Sequence, residues 1–143
     1  MSTLNLAVHS SGPLASGSKL MAFILVSHPE RARAFYEGTL GLRFLMNDGF
    51  ALVFEYGGTM IRAGMVETVT TSQNTVLGWE VEDISAAVDR LKAAGVKFCE
   101  MPGKNQDDSL IWTAPDGSKV AWFQDPDGNW LSVSKHAYAP RLP

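Results

Sequence analysis

Cysteine, basic charge and long apolar runs are scarce in this sequence, and each shortage excludes a class of protein. The 143 residues include one cysteine, Cys99, which excludes a disulfide framework within the chain and suits a reducing cytosol. Lys and Arg number 12 against 15 Asp and Glu, so no basic stripe is available to bind nucleic acid. No apolar run reaches the length of a membrane span, and the N-terminal residues lack the charged and apolar regions of a signal peptide. We therefore expect a cytoplasmic protein with no nucleic-acid or membrane partner.

What the sequence does contain is an internal repeat. Residues 20–62 predict a strand, a helix, a glycine turn and three short strands, and residues 75–134 predict the same order again. Each copy has to bury its apolar face against something, and two copies are too few for a solenoid. The two copies are therefore expected to pack side by side. The chain length allows one core of this kind. The repeat therefore predicts an α+β fold in which two βαβββ modules form a curved mixed sheet around a cleft, with the helices on its outer face.

The repeat also sets the predicted boundaries. Residues 1–18 are rich in Ser and Gly, and they predict a flexible N-terminal extension. Residues 19–143 form a single predicted domain, with module one at 19–66 and module two at 74–136. The second copy is the longer one, and part of its extra length falls in a loop over Pro102–Asp108. We expect this loop to border the cleft on one side only.

Each predicted helix has a start signal. Ser27 followed by Glu30 fits a capping box, in which the hydroxyl accepts from a first-turn amide and the carboxylate reaches back. This predicts a first helix over Pro29–Glu37. Asp83 is the predicted N-cap of the second helix, which Gly95 ends.

Two stretches of the chain resemble a known family. The run VSHPERARAFY at Val26–Tyr36, followed by Leu40-Gly41-Leu42, resembles the first-module signature of the vicinal oxygen chelate superfamily. In the second half, Val81-Glu82-Asp83 opens a helix and AWFQDPDGN at Ala121–Asn129 precedes the last strand, as in the same superfamily. The resemblance covers roughly residues 20–135. It implies the two-module fold and a homodimer.

The resemblance does not imply one function. The superfamily includes glyoxalase I, extradiol dioxygenases, and the bleomycin- and fosfomycin-resistance proteins. One architecture therefore hosts lyases, epimerases, ring-cleaving oxygenases and drug binders without catalytic activity. The function has to be inferred from the residues of the site.

The superfamily also implies where a divalent metal would bind. Its ligands lie near the start of the first strand and in the last strand of each module, and they are hard oxygen or imidazole donors. The positions carried over to this sequence are Met21, Arg62, Val76 and Ser132. None is His, Asp or Glu, and the guanidinium of Arg62 repels a dication. We predict no metal site and no other cofactor; a divalent metal held by other residues is the alternative.

Strand alternation predicts which side chains line the cleft. The predicted ligand-binding residues are Met21, Phe23, Arg62, Glu80, Trp122, Trp130 and Ser132. They describe an apolar, aromatic pocket with few polar groups, as is usual for small-molecule sites. We expect Arg62 to bind an anion, because a guanidinium on an apolar face is costly without a partner. The alternative for Arg62 is an ion pair with Glu80.

These residues support one function and leave others open. We expect a metal-independent protein similar to the bleomycin-resistance type, which binds or sequesters a planar or anionic small molecule. The alternative is a metal-dependent lyase, isomerase or dioxygenase of the same superfamily. A third hypothesis is a metal-free lyase or isomerase, in which Glu80 is a catalytic base with a pKa raised by burial and Arg62 stabilises an enolate.

Overall fold

The computed structural model describes residues 12–14 and 16–138. Most of the predicted extension at 1–18, and the last five residues of the predicted domain, lie outside the described residues. Within them, no helix is both long enough and apolar enough to cross a membrane. The strands are β1 (Met21–Val26), β2 (Arg43–Asn47), β3 (Ala51–Tyr56), β4 (Thr59–Met65), β5 (Thr75–Glu80), β6 (Trp112–Thr113), β7 (Lys119–Gln124) and β8 (Trp130–Lys135). The helices are α1 (Pro29–Arg33), which continues as a π-helical turn over Ala34–Thr39, and α2 (Ile84–Ala93).

The strands of the described residues form two four-stranded sheets with the same topology. Their orders are β1-β4-β3-β2 and β5-β8-β7-β6. In each sheet the first strand pairs in parallel with the last, and the other pairs are antiparallel. The predicted α+β fold of two βαβββ modules is therefore confirmed. One predicted strand is wrong: within residues 96–100, Phe98 forms only a single bridge to Phe123.

The two helices begin in different ways. Asp83 caps α2 as predicted, because its carboxylate accepts a hydrogen bond of 3.0 Å from the Ala86 amide. The capping box predicted at Ser27 and Glu30 is wrong. The N-cap of α1 is His28, and its side chain makes no capping hydrogen bond. The Ser27 hydroxyl, which was predicted to cap the helix, donates to Asp127 instead. The start of α1 is therefore held by a residue of the second module.

A turn at residues 125–129, here called the inter-module turn, ties the two modules together. The buried Tyr36 hydroxyl donates to Asp125 over 2.6 Å, and the Asn129 amide donates to the Leu25 carbonyl over 2.9 Å. Asp127 accepts from the Ser27 backbone amide and from Arg31, each over 3.1 Å. Burial, helped by the charge of Asp125, raises the pKa of Tyr36 far above its usual value, so its hydroxyl remains the donor.

Both modules contribute to one hydrophobic core. Phe54 of β3 and Phe123 of β7 are fully buried, and the ring of Phe35 lies 6.5 Å from that of Phe123. The first module's helical segment thus packs on a strand of the second module. Because the core is shared, the two sheets are held in a fixed relation. Each sheet keeps one face away from the helices, here called its open face.

Candidate functional site

The open face of the first module is apolar and exposed. Along β1, Ile24 and Val26 are buried towards the helices, whereas the alternating residues Met21, Phe23 and Leu25 are 40%, 65% and 48% exposed. This is the alternation that the sequence predicts for a strand with one face on a core. The predicted cleft residues Met21 and Phe23 therefore lie on the open face.

A cavity of about 480 Å³ lies where the first module meets the start of the second. The chain between the modules closes one side of it with residues 69–72. The other lining side chains are mainly apolar, with one cation: Phe23, Leu25, Phe50, Arg62 and Val76. Of the seven predicted ligand-binding residues, Phe23 and Arg62 line this cavity together. They are direct neighbours across the parallel pair β1–β4.

Arg62 has a partner, although not the one considered from the sequence. Its Nη1 lies 2.9 Å from Oδ2 of Asp48, and both side chains are about one-quarter exposed. Asp48 also accepts from the backbone amides of Phe50 and Ala51, each over 2.9 Å. These backbone bonds, followed by Arg62, lower the pKa of Asp48 below its usual value. The alternative of an ion pair between Arg62 and Glu80 is therefore wrong.

Sequence reasoning missed Asp48. It follows Asn47 in a turn that Gly49 completes with a positive φ, and such a turn explains an aspartate by itself. The signal that could have found it is register. β2 and β3 form a hairpin around this turn, and Val53 of β3 lies opposite Arg62. A carboxylate in the hairpin loop is thus within reach of the guanidinium.

The open face of the second module is more polar. Ser132 of β8 lies opposite Trp122 of β7, and both are among the predicted ligand-binding residues. The ring of Trp112 lies 6.0 Å from that of Trp122, and Nζ of Lys104 is 4.2 Å from the centre of the Trp112 ring. Trp130, also predicted, lies at the start of β8 opposite Gln124.

The predicted loop over Pro102–Asp108 lies beside this face, because Lys104 of the loop contacts the Trp112 ring. Gln106 fixes its conformation by accepting from the Met101 amide over 2.7 Å and donating to the carbonyls of Cys99 and Leu110. A side chain bonded to three backbone groups makes a rigid wall rather than a mobile flap.

Glu80 lies at the end of β5 and is bonded to Ser134 of β8 and to His136, which follows β8. Its Oε1 accepts from the Ser134 hydroxyl over 3.0 Å and lies 2.7 Å from Nδ1 of His136. Its Oε2 accepts from the His136 amide over 2.7 Å. Burial alone would raise the pKa of Glu80, but the hydrogen bonds from His136 and Ser134 lower it below its usual value. The hypothesis of a Glu80 base with a raised pKa is therefore wrong in direction.

The donor chemistry does not fit a divalent metal at the positions that the superfamily implies. Met21, Arg62, Val76 and Ser132 offer a thioether, a guanidinium, an isopropyl group and a hydroxyl, and Arg62 already pairs with Asp48. Across the part of the chain that the structure describes, no three His, Cys, Asp or Glu side chains form a group that could hold a metal ion. Hard-cation and zinc sites need such groups.

The fold places the chain among known proteins. A family model described as "Glyoxalase/Bleomycin resistance protein/Dioxygenase superfamily" matches residues 19–133. A solved superfamily member from Sphaerobacter thermophilus DSM 20745 is 24% identical, with a TM-score of 0.64 over 83% of this chain and 97% of that one. A glyoxalase/bleomycin resistance protein/dioxygenase from Alicyclobacillus acidocaldarius is 13% identical, with a TM-score of 0.64 over 84% and 92%. At these identities the likeness shows the fold alone. No curated protein sequence is significantly similar to this chain.

Proposed function

Because the chain belongs to the glyoxalase/bleomycin resistance protein/dioxygenase superfamily, we propose that it binds a small organic molecule, without a metal ion, in the cavity beside Arg62. The observation that carries this proposal is the cavity itself, which combines apolar walls with one cationic side chain. Its volume of about 480 Å³ lies within the range of small-molecule sites.

The chemistry of the lining favours a largely apolar ligand that carries an acceptor oxygen. Phe23, Phe50 and Val76 offer apolar surface, so a flat or compact hydrocarbon part would be removed from water there. A guanidinium has five N–H donors, and the bond to Asp48 leaves others of Arg62 able to donate to the ligand. Since Asp48 balances the charge of Arg62, a carbonyl group suits the site as well as a carboxylate does.

The donors at the implied ligand positions support metal independence. A dication placed there would face Arg62 and would lack the carboxylate and imidazole donors that divalent metals prefer. In this proposal Arg62 takes over the orienting role, because it can hold a ligand oxygen by charge-assisted hydrogen bonds.

We also propose a homodimer that covers the open face of the first module. Three large apolar side chains of this face, Phe23, Met46 and Phe50, are 65%, 54% and 80% exposed. Clusters of exposed apolar side chains mark interaction sites, and a second copy would close the open side of the cavity. In sedimentation velocity, Met46→Asp should shift the protein towards monomer, whereas Leu14→Asp, at an exposed residue that belongs to neither sheet, should not. A wild type that sediments as a monomer would remove the dimer from the proposal.

The binding proposal is tested with a fluorescent probe of matching chemistry. Anilinonaphthalene sulfonate, a flat apolar anion, should bind chelator-dialysed protein, and Arg62→Gln should weaken this binding about tenfold, as expected for a lost charge-assisted hydrogen bond. Arg43→Gln is the matched control, because Arg43 also pairs with a carboxylate of the same sheet but is 73% exposed. It should change binding less than twofold.

Two results would contradict the proposal. Equal probe binding by the Arg62→Gln and Arg43→Gln variants would show that the probe does not use the cavity. Binding that requires added Zn²⁺, Ni²⁺, Mn²⁺ or Fe²⁺ would instead support the metal-dependent lyase, isomerase or dioxygenase. Thermal melting of each variant checks that weaker binding does not reflect unfolding.

A further inference from the structure

The second module carries a second candidate site, which shares no residue with the cavity beside Arg62. Its centre is the pair Glu80–His136. The same carboxylate binds His136 twice, through the backbone amide at 2.7 Å and through ring Nδ1 at 2.7 Å, and it also accepts from Ser134. Because Glu80 bonds both the backbone amide and the ring of His136, it fixes the position of the imidazole and its rotation.

The partner of Nδ1 decides which ring nitrogen is free. Glu80 is ionised at neutral pH because its pKa lies below the usual value, and an ionised carboxylate only accepts hydrogen bonds. Nδ1 must then carry the hydrogen, so Nε2 of the neutral ring has a lone pair. This is the arrangement in which a carboxylate orients a histidine as a general base. The His136 side chain is 35% exposed, so small molecules can reach it.

The surroundings of this pair suit an aromatic substrate. Ser132 and Ser134 alternate along β8, so they share the open face with Glu80, which Ser134 contacts, and His136 follows the end of this strand. In the same cross-strand row, Val120 lies opposite Ser134 and Trp112 lies opposite Val120, with the Trp112 ring 6.0 Å from that of Trp122. Such a face combines an aromatic platform with one reactive nitrogen.

We propose that His136 is a catalytic residue that removes an acidic proton from an aryl-substituted carbonyl compound, and that Glu80 positions its imidazole. The C–H bond next to the carbonyl breaks, the proton moves to Nε2, and the electron pair forms the enolate. The imidazolium, stabilised by Glu80, then returns the proton to carbon or to oxygen. The cycle is a proton exchange or a keto–enol isomerisation, and it needs no oxidant, reductant or metal.

The charged groups around His136 are consistent with this role. Glu80 bonds to it directly, and the exposed Asp116, from the turn between β6 and β7, acts on it through its negative charge. Both carboxylates are opposite in charge to the imidazolium that forms when the proton is taken up. The ring of Tyr138 lies 5.2 Å away on the same terminal segment and packs against the imidazole.

The test measures exchange of the carbon-bound protons of phenylpyruvate and of phenylacetone in deuterated buffer, by NMR. We expect the full-length wild type to accelerate at least one exchange about a hundredfold or more over buffer, as general-base catalysis allows. His136→Gln should lose most of this acceleration. The matched control is His28→Gln, since His28 is an exposed histidine outside the site and the variant should keep the wild-type rate.

Further variants distinguish catalysis by His136 from a purely structural role of the Glu80–His136 hydrogen bonds. His136→Gly should be inactive and should regain activity when imidazole is added, because free base can then occupy the vacated position. Glu80→Gln should keep the fold but reduce the rate, and long-range proton–nitrogen NMR should show that His136 no longer holds its hydrogen on Nδ1 alone. No acceleration of either exchange by the wild type, an unchanged rate in His136→Gln, or no rescue by imidazole would each overturn the proposal.

Discussion

In the first module the open face of the sheet is apolar and exposed. It carries Met21, Phe23 and Leu25, together with Arg62, which pairs with Asp48. In the second module the corresponding face carries serines, the Glu80–His136 pair and two neighbouring tryptophan rings. The two modules nevertheless share one topology. The helix-facing residues thus specify the fold, and the open faces are free to differ in chemistry. The proposed binding and proton-transfer sites arise from that difference.

The largest effect is expected in the shared core, where two substitutions test whether the modules unfold separately or together. Phe54 and Phe123 lie on equivalent strands of the two sheets, and both are fully buried in the shared core. Replacing either with Ala should cost about 3–5 kcal/mol, because a large side chain leaves a cavity. Urea unfolding should remain a single transition in both variants.

The four tryptophans make this measurement specific, because all of them lie between Thr75 and Lys135, in the second module. Tryptophan fluorescence therefore follows the second module, while far-ultraviolet circular dichroism follows both. Coincident transitions in Phe54→Ala are the expected result. A dichroism change that precedes the fluorescence change would show that the first module unfolds alone, and the shared core would then be an incorrect description.

The next largest effect concerns the inter-module turn. Asp125 accepts from the Tyr36 hydroxyl and from the side chain and backbone of Asn129. Asp125→Ala leaves these buried donors without an acceptor, so we expect a loss of about 3 kcal/mol in the free energy of unfolding. Asp116→Ala is the matched control, because Asp116 begins a similar turn but is exposed and accepts from Ser118. Its loss should be clearly smaller than that of Asp125→Ala; equal losses would mean that the turn does not join the modules.

The inter-module turn also shows what the sequence could predict and what it could not. Strand and helix periodicity predicted the two modules, and Asp83 was identifiable as a cap because its acceptor role is local. Ser27 carries an equally good local signal, yet its hydroxyl bonds Asp127, one hundred residues away. A local pattern states what a side chain can do, whereas the fold decides which partner it meets.

The same reasoning applies to the candidate site. Alternation placed Phe23 and Arg62 on one face, because side-chain direction follows from the strand alone. The partners of the charged residues were not predictable in this way. Asp48 reaches Arg62 through a hairpin loop, and His136 reaches Glu80 beyond the end of a parallel neighbour. Both pairings depend on strand order and register, which composition and periodicity do not specify.

A smaller effect distinguishes two glycines that lie on the open faces. A Cβ at Gly78 of β5 would lie 2.8 Å from Oγ of Ser132 and 3.3 Å from its carbonyl oxygen. A Cβ at Gly64 of β4 would lie 3.3 Å from the flexible tip of Leu25 and 3.9 Å, an ordinary contact, from the Ile24 carbonyl oxygen. Gly78→Ala should therefore cost about 1–3 kcal/mol through overpacking. Gly64→Ala should be close to neutral, because alanine also lowers the entropy of the unfolded chain.

Thermal unfolding of both glycine variants and of Gly78→Ala/Ser132→Ala checks this prediction. The double variant should recover part of the stability, since it removes the closest atom from the position of the new Cβ. Equal stability of Gly78→Ala and Gly64→Ala would show that Ser132 of β8 does not approach Gly78 of β5 closely enough to exclude a Cβ.

The smallest effect compares the starts of the two helices. Asp83→Ala removes the acceptor of the Ala86 amide and should destabilise the protein by about 1 kcal/mol, the usual cost of losing an N-cap. His28→Ala should cost under about 0.5 kcal/mol, because His28 makes no cap and its bond to Ser27 is exposed. Urea unfolding followed by circular dichroism measures both. A larger loss at His28 would mean that the start of α1 depends on its own N-cap residue, and that Asp127 of the second module does not suffice to hold it.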